Sequence, residues 1–349
     1  MIDSNSIIEK LKTVNYPGYS RDIVSFGLIH DVQIENSKVK ISLKLNSPSP
    51  EVRAYIMAEC KKAVESISGV SSVDIINVSG DQSQSTKPNS NMDPWQSQKR
   101  INGVKKVIAI ASGKGGVGKS TVAVNIACAL SKLGLKTGLL DCDIYGPTVP
   151  LMMGIRQMPD LNERERIIPP LSHGVKLMSI GFMVDPDAPI IWRGPMLGKV
   201  IQQFLHDVEW GELDFLIVDL PPGTGDAQLS LAQNVPIDGG IIVTTPQEAS
   251  ISIVRKGIGM FEKINVPIIG IIENMSYFTT PNGERIEIFG HGGGLKEAES
   301  KNIPFLGQIP IFTEIRESCD KGTPIATNPD LEPAKVFFEI AEKINKQFN

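Results

Sequence analysis

The chain has 349 residues, of which 41% are hydrophobic and 21% charged, with a formal net charge of -4. This composition predicts a globular protein with a substantial core, and it argues against nucleic-acid or acidic-membrane binding through bulk charge. The opening residues lack a basic and apolar leader, and the apolar runs are short, so we expect no signal peptide and no membrane span. Four scattered cysteines favour a reducing compartment, and we predict the cytoplasm.

Residues 1–79 predict a small α+β domain. In chain order we expect a helix at 4–14, a β-hairpin with strands at 26–34 and 39–45, an amphipathic helix at 50–67 and a strand at 73–78. Residues 80–100 are polar and show no periodicity, which predicts a flexible linker.

Residues 101–349 predict an α/β domain. Several of its apolar runs lack the alternation of a half-exposed strand, so we expect strands buried on both faces. That pattern predicts a doubly wound, mainly parallel sheet covered by helices. The strands are expected at 107–111, 137–140, 215–218, 240–244 and 267–272, and the helices at 119–133, 196–208, 251–264 and 332–348.

A glycine-dense turn separates the first of these strands from the first helix. The turn has the P-loop spacing, formed by Gly113, Gly118, Lys119 and Ser120. It also has the required context, because it follows a predicted strand and precedes a predicted helix. The glycines let backbone amides surround a β-phosphate, and the helix N-terminus adds a positive field. We therefore predict an ATP site. It consists of Gly113, Lys114, Gly115, Gly116, Val117, Gly118, Lys119, Ser120 and Thr121, and includes Asn274 further along the chain.

Lysine and carboxylate side chains are the predicted catalytic groups. Lys119 is expected to contact the β- and γ-phosphates, and the Ser120 hydroxyl to bind Mg²⁺. Asp219 ends an apolar strand beside the P-loop and is predicted to hold Mg²⁺ through water. Asp143 is predicted to orient the attacking water, with Asp141 behind it, although a helix N-cap is the alternative for a strand-end aspartate.

Three further features have simpler interpretations. The amide of Asn274 could read adenine with its paired donor and acceptor, or it could form a turn. The glycine-rich run 290–294 has no lysine and hydroxyl behind it, so we expect a mobile loop there and no second phosphate site. The four histidines are isolated in the sequence, which supports neither a metal triad nor a histidine-based nucleophile.

Five motifs together resemble one family, the Mrp-type ATPases of the MinD/ParA-like branch of P-loop proteins. They lie, in the order of that family, at 112–120, 141–147, 192–195, 219–226 and 273–278. The N-terminal domain resembles that of iron–sulfur assembly factors. The resemblance implies an ATP-hydrolysing homodimer that transfers iron–sulfur clusters to apoprotein clients. It also implies that Lys114, the second lysine of a deviant Walker A motif, reaches the partner's nucleotide as an arginine finger would.

One departure from the family concerns the cluster. Many members carry a Cys-x-x-Cys pair where this chain has residues 279–283, which contain no cysteine, and residues 47–50 also lack a cysteine found in relatives. The ligands are therefore unknown, and any [4Fe-4S] cluster is predicted to be labile. Cys319, which we expect near the surface, is the one candidate.

Two other functions are weighed against the sequence, and one of them remains the alternative. A dimeric MinD/ParA-like switch could act as a positioning or scaffold protein without a cluster, although the charge-balanced final helix argues against a membrane-targeting role. An electron-transferring reductase of the nitrogenase iron-protein type would need cysteines beside the switch loops, and these are absent.

Overall fold

The computed structural model describes residues 4–14, 22–24, 28–35, 37–43, 50–67, 69–77, 98–144, 146–164, 166–183, 194–223 and 226–349. The contacts of the chain divide it into two units, Met1–Asn91 and Met92–Asn349. The linker predicted at 80–100 lies outside the described residues except at 98–100, as do Trp192 and Arg193 of one family motif. Within the described ranges, no helix has the length and apolarity needed to cross a bilayer.

Within its described residues, the N-terminal unit contains a three-stranded sheet and two helices. Its elements are α1 (Ser4–Leu11), β1 (Ile29–Glu35), β2 (Lys38–Leu43), α2 (Pro50–Glu65) and β3 (Ser72–Asn77). β2 lies in the centre, antiparallel to β1 and parallel to β3. One core contains fully buried side chains from both helices and the central strand: Ile7 and Leu11 of α1, Ile41 of β2, and Ile56 and Cys60 of α2. The predicted α+β fold is confirmed.

The second unit is built on a large, mainly parallel sheet. Its strands are β4 (Val104–Ser112), β5 (Thr137–Asp141), β6 (Asp160–Leu161), β7 (Ile167–Ile168), β8 (Leu171–Ser172), β9 (Val175–Ser179), β10 (Leu213–Asp219), β11 (Gly239–Thr244), β12 (Ile268–Thr279), β13 (Arg285–Ile286) and β14 (Phe305–Ile311). The order is β13-β12-β11-β4-β10-β5-β9-β8, and β14 also pairs with β12. The pairings of β12 with β13 and of β8 with β9 are antiparallel, while β6 and β7 form a separate ribbon.

Helices cover this sheet. They are α3 (Lys119–Lys132), α4 (Val149–Met152), α5 (Gly194–His206), α6 (Asp226–Asn234), α7 (Glu248–Lys263), α8 (Gly293–Lys301), α9 (Thr313–Asp320) and α10 (Glu332–Lys346). Every residue of β5 and of β11 is buried, so both faces of these strands are covered. The doubly wound architecture predicted from the unbroken apolar runs is confirmed.

The register of the central strands brings distant motifs to one edge. Asp219, at the end of β10, lies opposite Ile110 of β4 and Asp141 of β5. On the other side of β4, Val243 of β11 lies opposite Ser112. Because parallel strands all end at the same edge, the P-loop and the two strand-end aspartates meet there.

Candidate nucleotide site

The P-loop joins β4 to α3, and close contacts or a positive φ explain three of its glycines. Gly118, the residue before α3, has φ +79°, and a Cβ there would lie 2.3 Å from Nδ2 of Asn274. A Cβ on Gly113 would lie 2.6 Å from Cγ2 of Ile253 in α7. Gly116 also has a positive φ, of +81°. At these three positions a side chain is unfavourable, in a loop whose backbone amides have to approach a phosphate.

Lys119 lies at the centre of the predicted catalytic groups. Its side chain is 5% exposed, and its Nζ donates to Asp219 Oδ1 at 2.6 Å and to Ser120 Oγ at 3.3 Å. Asp143 Oδ2 is 3.7 Å from the same Nζ. The structure therefore brings together four residues that are up to a hundred positions apart in the chain.

Asp219 also has the chemistry of a metal ligand. Its side chain is fully buried, and Oδ2 has no hydrogen-bond partner among the described residues. An orphaned carboxylate oxygen is costly unless a cation or a water fills the space beside it. Mg²⁺ prefers oxygen ligands such as carboxylates and hydroxyls. The Ser120 hydroxyl lies beside Asp219, because both accept a hydrogen bond from Lys119 Nζ. These residues fit the predicted Mg²⁺.

Asp141 supports the site from behind. Its Oδ1 accepts from the Asp143 backbone amide at 3.0 Å, and its Oδ2 accepts from Ser179 Oγ at 2.7 Å. Burial, followed by the charge of Asp219, raises the pKa of Asp141 to about 7. The carboxylate thus fixes the backbone that carries Asp143.

A cavity of about 200 Å³ lies over the P-loop. It is lined by Ser112, residues 115–121, Asp143, Thr148, Met152 and Pro222. Sequence reasoning missed Thr148 and Met152. The only available signal was their position on the short segment that follows the Asp143 motif.

Lys114 points toward α7 of its own chain. Its Nζ donates to Oε1 of Gln247, the residue before α7, at 3.2 Å. The Lys114 carbonyl accepts from Ser112 Oγ at 3.0 Å. No motif pointed to Gln247, because a single glutamine before a helix has many ordinary uses.

Asn274 is packed against the P-loop. It is 7% exposed, and its Nδ2 donates to the Val117 carbonyl at 2.8 Å. One of its two amide protons is therefore used to hold the loop, and the reading of adenine by Asn274 stays a prediction.

The second glycine-rich loop already holds a carboxylate of this chain. Glu273 is fully buried, and its Oε2 accepts from the Gly294 amide at 2.7 Å, at the first turn of α8. Its Oε1 accepts from Gln308 Nε2 at 2.9 Å. A carboxyl group of this chain thus takes up the Gly294 amide at the start of α8, and no lysine and hydroxyl motif follows this loop.

The cysteines are all buried, and the prediction that Cys319 lies near the surface is wrong. Cys319 is 5% exposed, because its face of α9 packs toward α3, where Asn125 Nδ2 lies 3.9 Å from the sulfur. Burial raises the pKa of the Cys319 thiol, and it raises that of Cys128 to about 12. Buried protonated thiols are poor iron ligands. Among the described residues, no group of three or more histidine, cysteine or acidic residues is arranged to hold a metal.

Similarity to known proteins agrees with this geometry. The family "NUBPL iron-transfer P-loop NTPase" matches residues 103–345, and the family "Iron-sulfur cluster assembly protein" matches residues 5–75. An "Iron-sulfur cluster carrier protein" of Synechocystis is 43% identical over 99% of this chain and 97% of its own length.

Solved structures share the fold of the second unit. A nucleotide-binding protein of Archaeoglobus fulgidus, in complex with ADP, is 37% identical, with a TM-score of 0.60 over 68% of this chain and 94% of its own. The septum site-determining protein MinD of Pyrococcus horikoshii, at 23% identity and a TM-score of 0.53, covers 70% of this chain and 97% of its own. The P-loop geometry and these matches together show that the chain belongs to the NUBPL iron-transfer P-loop NTPase family.

Proposed function

We propose that this protein is a Mg²⁺-dependent ATPase that binds iron–sulfur clusters and transfers them to apoproteins. The observation that carries the ATPase part is the convergence of Lys119, Asp143 and Asp219 at the P-loop. The carrier part is supported by family membership and by the name of the Synechocystis relative. The four unpaired cysteines favour a reducing compartment, so the cytoplasm remains our prediction.

Each residue has a distinct role in hydrolysis. The P-loop amides bind the phosphates, and Lys119 transfers its hydrogen bond from Asp219 to the phosphate oxygens when ATP enters. Asp143 orients the attacking water and accepts its proton. Ser120 and Asp219 would hold Mg²⁺, which neutralises developing charge on the phosphates when bound.

The active form is proposed to be a homodimer. An arginine-finger role for Lys114 requires its ammonium to reach a phosphoryl group, whereas here it contacts Gln247 within its own chain. A second subunit would offer Lys114 an acceptor across the interface, and the contact with Gln247 would then be given up.

The cluster is cargo, and this chain offers it few ligands. The thiols of Cys128, Cys142 and Cys319 are buried, and burial raises the pKa of each. We therefore expect a labile cluster, completed by a small thiol or by a cysteine of the client.

The ATPase assignment is tested by substitution. Lys119→Ala should abolish ATP binding measured by calorimetry, and Asp219→Ala should abolish Mg²⁺-dependent phosphate release. Lys132→Ala, which changes an exposed lysine at the far end of α3, is the matched control and should behave as wild type. Tight Mg²⁺-ATP binding by Lys119→Ala would show that the site is wrongly assigned.

The carrier assignment is tested by anaerobic reconstitution with iron and sulfide. We expect a cluster in wild type and equally in Cys319→Ser, lost on gel filtration without thiol, and transferred to an apo-ferredoxin. A cluster that depends on Cys319 would contradict our view of that buried thiol. No cluster under any condition would favour the alternative, a MinD/ParA-like scaffold ATPase.

A further inference from the structure

A groove between α6 and α7 lies outside the nucleotide cavity. Its volume is about 430 Å³. It is lined by Leu229 of α6, by Lys256, Gly259, Met260 and Lys263 of α7, and by Ile264, the residue after α7. Leu229 is 42% exposed, while Met260 and Ile264 are nearly buried beneath it. The groove thus has an apolar floor and one protruding apolar wall.

Gly259 is not explained by packing within the chain. A glycine inside a helix is less favourable than alanine, so it usually marks a position where a side chain would collide. A collision of this kind explains Gly240 of the strand β11, where a Cβ would lie 2.8 Å from the Phe261 ring of α7. At Gly259 no heavy atom of the described residues, apart from the adjoining residues and the backbone of α7 itself, lies within 4 Å of the Cβ position. The missing side chain leaves a notch that is open to an incoming group.

The charges beside the notch are of one sign. Lys256 and Lys263 are seven residues apart, so they project from the same face of α7, on either side of Gly259. Both are exposed, and neither forms an ion pair within the part of the chain that the structure describes. Two ammonium groups flanking an apolar notch complement carboxylates that flank an apolar side chain.

We propose that this groove docks an acidic amphipathic helix of a partner protein. An apolar side chain of the helix enters the notch at Gly259, and carboxylates about two turns apart pair with Lys256 and Lys263. This is helix-in-groove recognition, in which apolar anchors supply affinity and flanking charges supply orientation.

The two walls of the groove are connected to the nucleotide site. At the start of α6, Gln228 is 1% exposed, and its Nε2 donates to the carbonyls of Pro221 and Gly223, just after Asp219. α7 follows Gln247, which holds Lys114. A partner in the groove therefore contacts two helices that adjoin the nucleotide site. This inference goes beyond the proposed function, since it needs neither hydrolysis nor a cluster.

The probe is a fluorescein-labelled amphipathic helical peptide with a leucine stripe flanked by glutamates. Anisotropy with the full chain should show saturable binding that weakens with added salt. A control peptide with lysines in place of the glutamates should bind at least about tenfold more weakly. Lys256→Glu combined with Lys263→Glu should reverse that preference, and Gly259→Leu should abolish binding by filling the notch.

A matched charge change elsewhere is the control. Lys296→Glu combined with Lys301→Glu, on the exposed side of α8, should leave peptide binding unchanged. ATPase activity without peptide should be unchanged in the groove variants, which separates this test from that of the proposed function. Absence of saturable binding would overturn the proposal. So would equal binding of the two peptides by wild type and by the variant with Lys256→Glu and Lys263→Glu. The lysine variants decide the matter even if Gly259→Leu fails to fold.

Discussion

Lys114 and Lys119 lie in one loop but differ in surroundings. Lys119 is enclosed by carboxylates, whereas Lys114 contacts a neutral amide before α7. A charge held by a neutral partner is easier to redirect than one held by a buried carboxylate. The two lysines are therefore expected to contribute to different steps.

Replacing Lys114 should separate binding from hydrolysis. Lys114→Ala is expected to bind ATP as wild type does but to lose hydrolysis by roughly 10³–10⁵, as when an arginine finger is removed. Binding is measured by calorimetry and turnover by phosphate release. Gln247→Ala is the control, because it removes only the contact in the same chain. If both variants lost activity equally, Lys114 would act through Gln247 and not on a partner's nucleotide.

Cys319 shows why sequence reasoning failed for one residue. Its neighbours Arg316, Glu317 and Asp320 are charged, and they suggested a surface segment. Ile315 and Cys319, four residues apart on α9, are both buried, and that helical spacing was the signal for a buried face. In a helix of eight residues, a single apolar pair is too little to outweigh three charged neighbours.

At the scale of elements, the P-loop depends on β12 as well as on its own glycines. Asn274 bonds to Val117 and lies where a side chain on Gly118 would project. Gly118→Ala should therefore combine a strained positive φ, costing about 1–2 kcal/mol, with a collision. Gly116→Ala has the same backbone strain but no collision, because the space around Gly116 is open. Urea unfolding should therefore show a smaller loss of unfolding free energy for Gly116→Ala than for Gly118→Ala. Adding Asn274→Ala should restore part of the stability of Gly118→Ala, and equal losses at both glycines would contradict this.

Asp238 anchors the opposite edge of the sheet and should make stability depend on pH. Burial alone would raise the pKa of Asp238, but hydrogen bonds from Arg100 and from the Val107 amide outweigh it and hold the pKa below its usual value. Because the folded-state pKa is lowered, the ionised carboxylate stabilises the protein fully above the unfolded pKa of about 3.9. That stabilisation is lost as the pH falls through the folded-state pKa.

Asp238→Asn should therefore cost roughly 1–3 kcal/mol at neutral pH, with a smaller difference from wild type below about pH 4. Urea unfolding across this range measures both effects. Asp330→Asn, at an exposed residue, is the control and should follow wild type. A difference that stayed constant with pH would show that the Asp238 charge is not what stabilises the edge.

Long elements could be predicted from the sequence and very short ones could not. The strands β4, β5, β10 and β11 each contain a run of apolar residues without alternation, which is the pattern expected of strands buried on both faces. The strands β6, β7, β8 and β13 have two residues each, which is too short for any periodicity. Contacts between distant segments, such as Glu273 with Gly294, also leave no local pattern.

For the whole molecule, the proposed exchange of Lys114 between subunits makes a complementation experiment possible. Lys114→Ala and Asp143→Ala should each be inactive alone. In a mixed dimer one composite site regains both groups, so mixing should restore part of the ATPase activity. A mixture of Lys119→Ala and Asp219→Ala is the control. Each site of that mixed dimer still lacks one group, so it should stay inactive. Wild-type turnover by a preparation shown to be monomeric would contradict the shared site.

The strand order also has a consequence for biosynthesis. The bond between Val117 and Asn274 spans 157 residues, and β4 lies between β10 and β11, both of which follow it by more than a hundred positions. At ribosomal rates of about 5–20 residues per second, β4 leaves the ribosome roughly ten to thirty seconds before the strand that carries Asn274. During that interval ATP cannot stabilise the nascent chain, because its site does not yet exist. The apolar β4 segment is therefore a natural client for chaperones until synthesis is nearly complete.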